Sequence, residues 1–368
     1  MKNKTSVLSI ELILAILSGI FTWLIINYPQ NYRNTNVEPF NYHPQSTGNQ
    51  TPTQEAKPVS LIAVGDISYS RGVGRVVRYK NDINYPFANV KDYFKTADIV
   101  LADLETPITP GREIMDGEMV FRSNPGTEKA LKEAGISMVS LANNHTPDFG
   151  DKGLIDTFTY LTQAGIDYIG AGENIDKANT PLKIEKNGIK FAFLAYNDSG
   201  VVPKNYEATD NTAGTAFMDI EKMTQTVEKA KNYSDIVVVV MHSGTEYESK
   251  PNQTQVNFAR SAIDSGADLV IGGHPHVVQT AELYKGKYIF YSLGNFILDQ
   301  MWSLETRQGI IIKATFNKTS AEKIELVPTI IENYSQPRMA KPEEATKIIK
   351  RLGVPTTEKN GVYEISPT

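Results

Sequence analysis

The stretch Leu269-Val270-Ile271-Gly272-Gly273-His274-Pro275-His276 sets an apolar run against a glycine pair and two imidazoles. A short apolar run bounded by glycine reads as a buried strand. In an α/β fold, loops beyond the carboxyl ends of strands converge on one edge, and ligands collect there. Residues i and i+2 of an extended segment point the same way, so His274 and His276 are expected to face one cluster. Pro275 stiffens the loop between them.

The same pattern recurs along the chain. Residues 236–241 form an unbroken apolar run, β-branched except for Met241, that ends at His242. Such a run reads as a strand buried on both faces. Residues 61–64 lead into Gly65-Asp66, residues 99–102 into Asp103-Leu104-Glu105, and residues 138–141 into Asn143-Asn144-His145. Helices are expected over 87–96, 127–134, 152–164, 219–231, 254–265 and 343–352. Gly135 and Gly165 stop two of them in the way C-terminal glycines do. Asn187-Gly188 signals a hairpin between 182–185 and 190–195, and Lys285-Gly286 turns another between 282–284 and 288–291. Strands over 310–316 and 324–330 complete the set. Gly72-Val73-Gly74 lacks the third glycine of a dinucleotide fingerprint and reads as a loop, and no P-loop pattern occurs. Early βα alternation followed by hairpins predicts an α/β fold of mixed sheets covered by helices.

Composition narrows the class. The chain has 368 residues, with 40% hydrophobic and 21% charged, which is ordinary for a globular protein. A net charge of −5 argues against a nucleic-acid partner. With no cysteine, a metal site must use His, Asp, Glu and Asn. Residues 7–26 are apolar apart from Glu11 and a few small polar residues; as a helix they span about 30 Å, enough to cross a bilayer. Lys2 and Lys4 precede this run, and the next cation is Arg33. The positive-inside rule then leaves the bulk of the chain outside the cytoplasm. A cleaved signal peptide is the rival reading, but no small-x-small site precedes Asn27. The expected organisation is a signal-anchor over 1–28, a polar tether over 29–57, an α/β domain over 58–335 and a C-terminal extension over 336–368.

The chain has five histidines; His43 lies in the tether, and His145, His242, His274 and His276 each follow an expected buried strand. Asp66, Asp103, Glu105 and Asn144 do the same. Any one of them alone reads as a turn or cap residue. Together they place carboxylate, amide and imidazole donors from five strand ends on one edge.

The segments Val64-Gly65-Asp66, Asp103-Leu104-Glu105-Thr106-Pro107, Ala142-Asn143-Asn144-His145 with Asp148 and Gly150, His242-Ser243-Gly244 with Glu246-Tyr247, Gly273-His274-Pro275-His276-Val277 and Ser292-Leu293-Gly294-Asn295-Phe296 resemble, in order, the CapA/PgsA family of poly-γ-glutamate capsule proteins. That family is a branch of the calcineurin-like metallophosphoesterases. The resemblance covers nearly all of residues 60–300. It implies a sandwich of two mixed β-sheets flanked by helices, carrying two divalent cations. Asp66 and His276 resemble ligands of the first cation, and Asn144, His242 and His274 ligands of the second. Glu105 resembles the bridging carboxylate, with Asp103 a second candidate. His145 resembles the residue that contacts phosphate and protonates a leaving group, with Asp148 orienting it. Mixed nitrogen and oxygen donors suit Mn, Fe, Zn or Ni without choosing among them. Arg71, Arg122, Glu246, Tyr247 and Asn295 are candidate substrate contacts. Ser68 stands where the wider superfamily has a first-site histidine.

The resemblance further implies work at the outer face of the cell membrane on an anionic polymer such as poly-γ-glutamate, beside other capsule-synthesis membrane proteins. Two other functions fit the same residues. One is an extracytoplasmic metal-dependent phosphoesterase or other hydrolase unrelated to capsule. The other is a non-catalytic polymer-binding scaffold.

Overall fold

The computed structural model describes residues 56–365. The expected signal-anchor, and the tether up to residue 55, lie outside the described residues. Among the described residues no helix is long and apolar enough to cross a membrane.

The first third alternates strands and helices: β1 (Val59–Ile67), α1 (Arg71–Lys80), α2 (Lys91–Phe94), β2 (Ile99–Leu104), α3 (Thr127–Ala134), β3 (Met138–Ser140), α4 (Gly150–Ala164) and β4 (Asp167–Ile169). The middle runs through β5 (Ala171–Gly172), α5 (Ile175–Ala178), β6 (Leu182–Lys186), β7 (Ile189–Asn197), β8 (Gly214–Thr215), α6 (Ile220–Lys231), β9 (Ile236–His242), α7 (Gln253–Asp264) and β10 (Leu269–Gly273). The last part holds β11 (Ala281–Tyr284), β12 (Lys287–Phe290), β13 (Asn295–Ile297), β14 (Gln308–Phe316), β15 (Ala321–Glu332), β16 (Gln336–Met339), α8 (Pro342–Leu352), β17 (Thr357–Lys359) and β18 (Val362–Ile365).

Two large mixed sheets result. One is ordered β17-β18-β15-β14-β1-β2-β3-β4, with β13 beside β1 and β16 beside β15; the other is ordered β11-β12-β10-β9-β7-β6. Strands β1 to β4 run parallel in the first sheet, as do β12, β10, β9 and β7 in the second. Side-chain alternation divides the core into layers. Leu61 and Ala63 of β1 pack with Phe191, Phe193, Val238 and Val240 between the sheets. Ile62 and Val64 turn the other way, onto a layer that includes Val73 of α1 and Leu131 of α3. Val237 and Val239 pack outward with Met223 and Val227 of α6 and Phe258 of α7. A strand with helices or sheet on both faces needs apolar residues at every position, which is why β9 has no polar alternation. Each fully buried aliphatic side chain contributes about 1.5–3 kcal/mol. The architecture is the expected pair of mixed sheets flanked by helices.

Two local expectations need correction. Gly72-Val73-Gly74 is not a loop but part of α1. Its glycines serve close packing, since a Cβ at Gly72 would lie 2.8 Å from the Asp299 Cβ and one at Gly74 2.8 Å from the Tyr69 carbonyl oxygen. The helix expected over 87–96 is broken into a 3-10 turn at Tyr85–Phe87 and the short α2, because Val90 leaves helical geometry at φ −126°. Phe87, Val90 and Phe94 are all buried, so their helical spacing reports a shared core contact rather than one continuous helix. The segment after residue 335 adds β16 and β18 side by side to the edge of β15 that β14 leaves free. Its Ile348, Leu352, Tyr363 and Ile365 join the layer between the sheets.

Candidate metal centre

The carboxyl ends of β1, β2, β9 and β10 meet on one edge, with the segment after β3 beside them. Small residues allow the approach. A Cβ at Gly65 would lie 1.8 Å from the Gly294 carbonyl oxygen, so glycine lets the turn before β13 close on β1. A Cβ at Gly273 would lie 2.6 Å from Asp66 Oδ1 and 3.1 Å from Asp103 Oδ2. Gly273, paired in register with His242, thus lets an end of the second sheet reach the carboxylates of the first.

Asp66, Glu105 and His242 are fully buried, and His274 and His276 nearly so. His242 Nδ1 lies 2.7 Å from Asp103 Oδ2, while its Nε2 lies 2.7 Å from Asn144 Oδ1 and 3.6 Å from Glu105 Oε1. With Nδ1–H donated to Asp103, Nε2 faces the Asn144 oxygen, and loss of an Nε2 proton would free both atoms as acceptors for a cation. His276 Nδ1 meets Asn295 Oδ1 at 2.9 Å, and its Nε2 lies 3.9 Å from Glu105 Oε1. Asn295 in turn donates to the Gln300 side chain and the Thr306 carbonyl. Asn295 therefore orients His276, and Asp103, itself bonded to Asn143 Nδ2 at 2.8 Å, orients His242. Such outer partners fix the tautomer of a metal-binding imidazole.

Several buried atoms have no hydrogen-bond partner: Asp66 Oδ1, both Glu105 oxygens and His274 Nδ1. Buried polar atoms ordinarily find partners, and an orphaned cluster points to an ion or water. Three overlapping groups have donor atoms within 4.8 Å of one another: Glu105, His242 and His274; Asp66, Asp103 and His242; and Asp66, Glu105 and His276. Glu105 belongs both to the group with His274 and to the group with His276. This donor set fits a divalent cation.

The electrostatics agree. Burial opposes charge on His242, but Asp103 and Glu105 outweigh it and hold the imidazole well above its usual value. Burial likewise opposes charge on His276, yet Glu105 and Asp66 raise it to about 9. Burial, reinforced by His242 and His276, pushes His274 well below the usual range. Burial raises the Asp103 carboxyl despite the pull of His242. Glu105 is held down to about 2, with His276 and His242 overcoming the effect of burial.

His274 and His276 face one cluster by a route other than strand pleating. Both have left-handed backbones, φ 94° and 57°, and their ring centroids are 6.1 Å apart. The irregular turn sends His274 toward Glu105 and His242, and His276 toward Asp66 and Glu105.

His145 stands beside this cluster. Its Nδ1 lies 2.7 Å from Asp148 Oδ2, and its ring stacks on Phe121 with centroids 3.9 Å apart. The same Asp148 oxygen accepts the Phe121 N–H at 2.6 Å, and Tyr206 O–H reaches Asp148 Oδ1 at 3.4 Å. Asn143 braces the turn, accepting from the His145 and Thr146 N–H groups.

The other candidate contacts divide. Arg71 is tied to Asp299 at 2.6 Å. Arg122 is buried, with its guanidinium on the Thr109 and Arg112 carbonyls and Asn124, so it braces its own loop. Tyr247 is half exposed at the rim, its ring stacked 6.1 Å from His276 and edge-on to the exposed Trp302. Burial, aided by Glu246, pushes the Tyr247 hydroxyl up to about 12. Ser68 is buried, and its hydroxyl oxygen accepts the Ser70 N–H at 3.4 Å. Sequence reasoning missed Phe121, Tyr206, Asp299 and Trp302, which lie outside the strand-end motifs and carry no motif of their own.

Fold and site define a class: an α/β sandwich with a buried imidazole, carboxylate and amide centre at its strand ends. Within that class, the chain belongs to the bacterial capsule synthesis protein family PGA_cap, matched over residues 60–300. It is 32% identical to the capsule biosynthesis protein CapA of Bacillus anthracis, over 83% of this chain and 75% of that one. It is 34% identical to the PGA biosynthesis protein CapA of Bacillus subtilis, over 80% of this chain and 77% of that one. Among solved structures, the calcineurin-like phosphoesterase YfkN of Bacillus subtilis overlaps with a TM-score of 0.40 at 13% identity, over 80% of this chain and 96% of that one. An overlap that loose carries no argument here.

Proposed function

We propose that this protein works in capsule or poly-γ-glutamate synthesis at the outer face of the cell membrane, through a site for two divalent cations. The family supports the capsule role. The observation that carries the site is the orphaned cluster: Asp66, Glu105 and His274 hold buried polar atoms without partners, which a cation and its water would satisfy. Asp66, Glu105 and His276 would hold one cation, and Glu105, Asn144, His242 and His274 the other. Such a pair lowers the pKa of a bound water and polarises the oxygens of a scissile group.

The chain's own residues supply the rest. Asp148 accepts Nδ1–H of His145, which leaves Nε2 to carry a proton toward the reacting atoms. Asp103 and Asn295 fix the rings of His242 and His276. Tyr247 and Trp302 offer aromatic faces to a long ligand at the rim. The anionic polymer is the ligand class, and other capsule-synthesis membrane proteins are its expected partners.

The experiment is complementation of a capsule-deficient strain with His145→Ala. Loss of polymer with metal content intact is the expected outcome. Wild-type polymer from His145→Ala would sink the catalytic reading and leave a polymer-binding scaffold, which the serine at position 68 favours.

A further inference from the structure

Resting on the reading of His145 as a working side chain, we propose that Phe121 is a positioning residue for His145, and that the Arg71–Asp299 pair clamps Phe121 from its other side. The Phe121 ring lies 3.9 Å from the His145 ring at an interplanar angle of 19°. Arg71 Cζ lies 4.3 Å from the centroid of the same Phe121 ring. Two groups at those distances overlap if they share one face, so imidazole and guanidinium cover opposite faces. A guanidinium over an aromatic face is attracted by the ring quadrupole, and desolvation strengthens the contact, since the Arg71 side chain is only 12% exposed.

Phe121 acts twice on the dyad. Its ring sets the plane of His145. Its N–H, 2.6 Å from Asp148 Oδ2, holds the oxygen that His145 Nδ1 meets at 2.7 Å. A single hydrogen bond leaves an imidazole free to swing about it; a stacked ring removes that freedom.

The clamp is anchored on the far side. Asp299 Oδ1 accepts from Arg71 Nη2 at 2.6 Å, and Asp299 Oδ2 accepts from the Gly72 N–H at 2.8 Å. Arg71 Nη1 donates to the Glu118 carbonyl at 3.3 Å. Arg71 has a left-handed backbone, φ 44°, a conformation that persists at a non-glycine residue only where the surroundings impose it. The loop that carries Phe121 is closed at its neck, where Thr109 N–H meets the Ser123 carbonyl at 3.1 Å and Ser123 N–H the Pro107 carbonyl at 2.9 Å. Arg71 is thus neutralised by Asp299 and works through Phe121 rather than by gripping an anion.

The test compares full-length Phe121→Leu, Phe121→Tyr and His145→Ala, each loaded with zinc, for polymer output in complemented cells, bound zinc, and the ring C–H signals of histidine-labelled protein. Five histidines keep that spectrum assignable. In Phe121→Leu the His145 ring signals move downfield as the shielding face is lost. Polymer output falls about ten- to a hundredfold, the scale of a misplaced reacting group, and bound zinc is unchanged. Phe121→Tyr keeps the ring and restores both signals and output. Wild-type output from Phe121→Leu, unmoved His145 signals, or a loss matched by loss of zinc overturns the inference. Wild-type output from His145→Ala defeats instead the catalytic reading on which the inference rests, while the ring signals still report whether Phe121 sets the imidazole.

Discussion

Gly273 shows how one atom decides the site. A Cβ there would sit 2.6 Å from Asp66 Oδ1, closer than real Cβ contacts approach, so Gly273→Ala must displace the Asp66 carboxylate or part the two sheet ends. We expect Gly273→Ala to fold and to lose bound metal, read by elemental analysis beside circular dichroism; full metal content would contradict the packing argument. Protonation makes a second prediction at this scale. Without a cation, His242 and His276 are held above their usual values by Asp103, Glu105 and Asp66. Those carboxylates favour the protonated imidazoles, and a cation requires the neutral ones. Binding therefore expels protons, and apparent affinity rises with pH up to about 9. Calorimetric titration in two buffers of different ionisation enthalpy reads the release; affinity independent of pH would refute it.

At the scale of elements, the strands that build the site were legible in the sequence because burial on both faces leaves a simple signature. Residues 236–241 stand in β9, and 127–134 coincide with α3, where Gly135 adopts φ 99° as a C-terminal glycine does. Asn187-Gly188 turns the β6–β7 hairpin with both residues at positive φ. What stayed hidden was tertiary in origin. The glycines of α1 answer to Asp299, far along the chain, and no local window contains it. Phe121 lies in an irregular segment and gains meaning only through His145 and Arg71. The C-terminal strands are short, and their partner β15 pairs first with β14. The fold gives that C-terminal segment weight: Leu352 of α8 is fully buried in the layer between the sheets. Leu352→Ala is expected to cost about 2–5 kcal/mol in urea unfolding, as cavity-forming substitutions do; a change within a few tenths would show α8 to be a loose appendage.

For the whole molecule, the proposed function carries the expectation that the apolar run of residues 7–26 anchors the chain and leaves its bulk outside the cytoplasm. Full-length protein is then expected to stay with membranes through a high-salt wash and to be digested by protease added to intact protoplasts. Release by salt, or protection from protease, would contradict that placement. Edge convergence made most of the site readable in advance: Asp66, Glu105, His242, His274 and His276 come together, as their strand ends implied. The division of labour among them was not readable, because it depends on which oxygen meets which ring nitrogen across two sheets.

The most direct test is a count of metal per chain in protein purified without chelator, set beside Asp66→Ala and His274→Ala. The account predicts about two ions per chain in the wild type, as two-metal sites hold, and a fall in both variants. No bound metal after loading with Mn, Zn or Fe would contradict it.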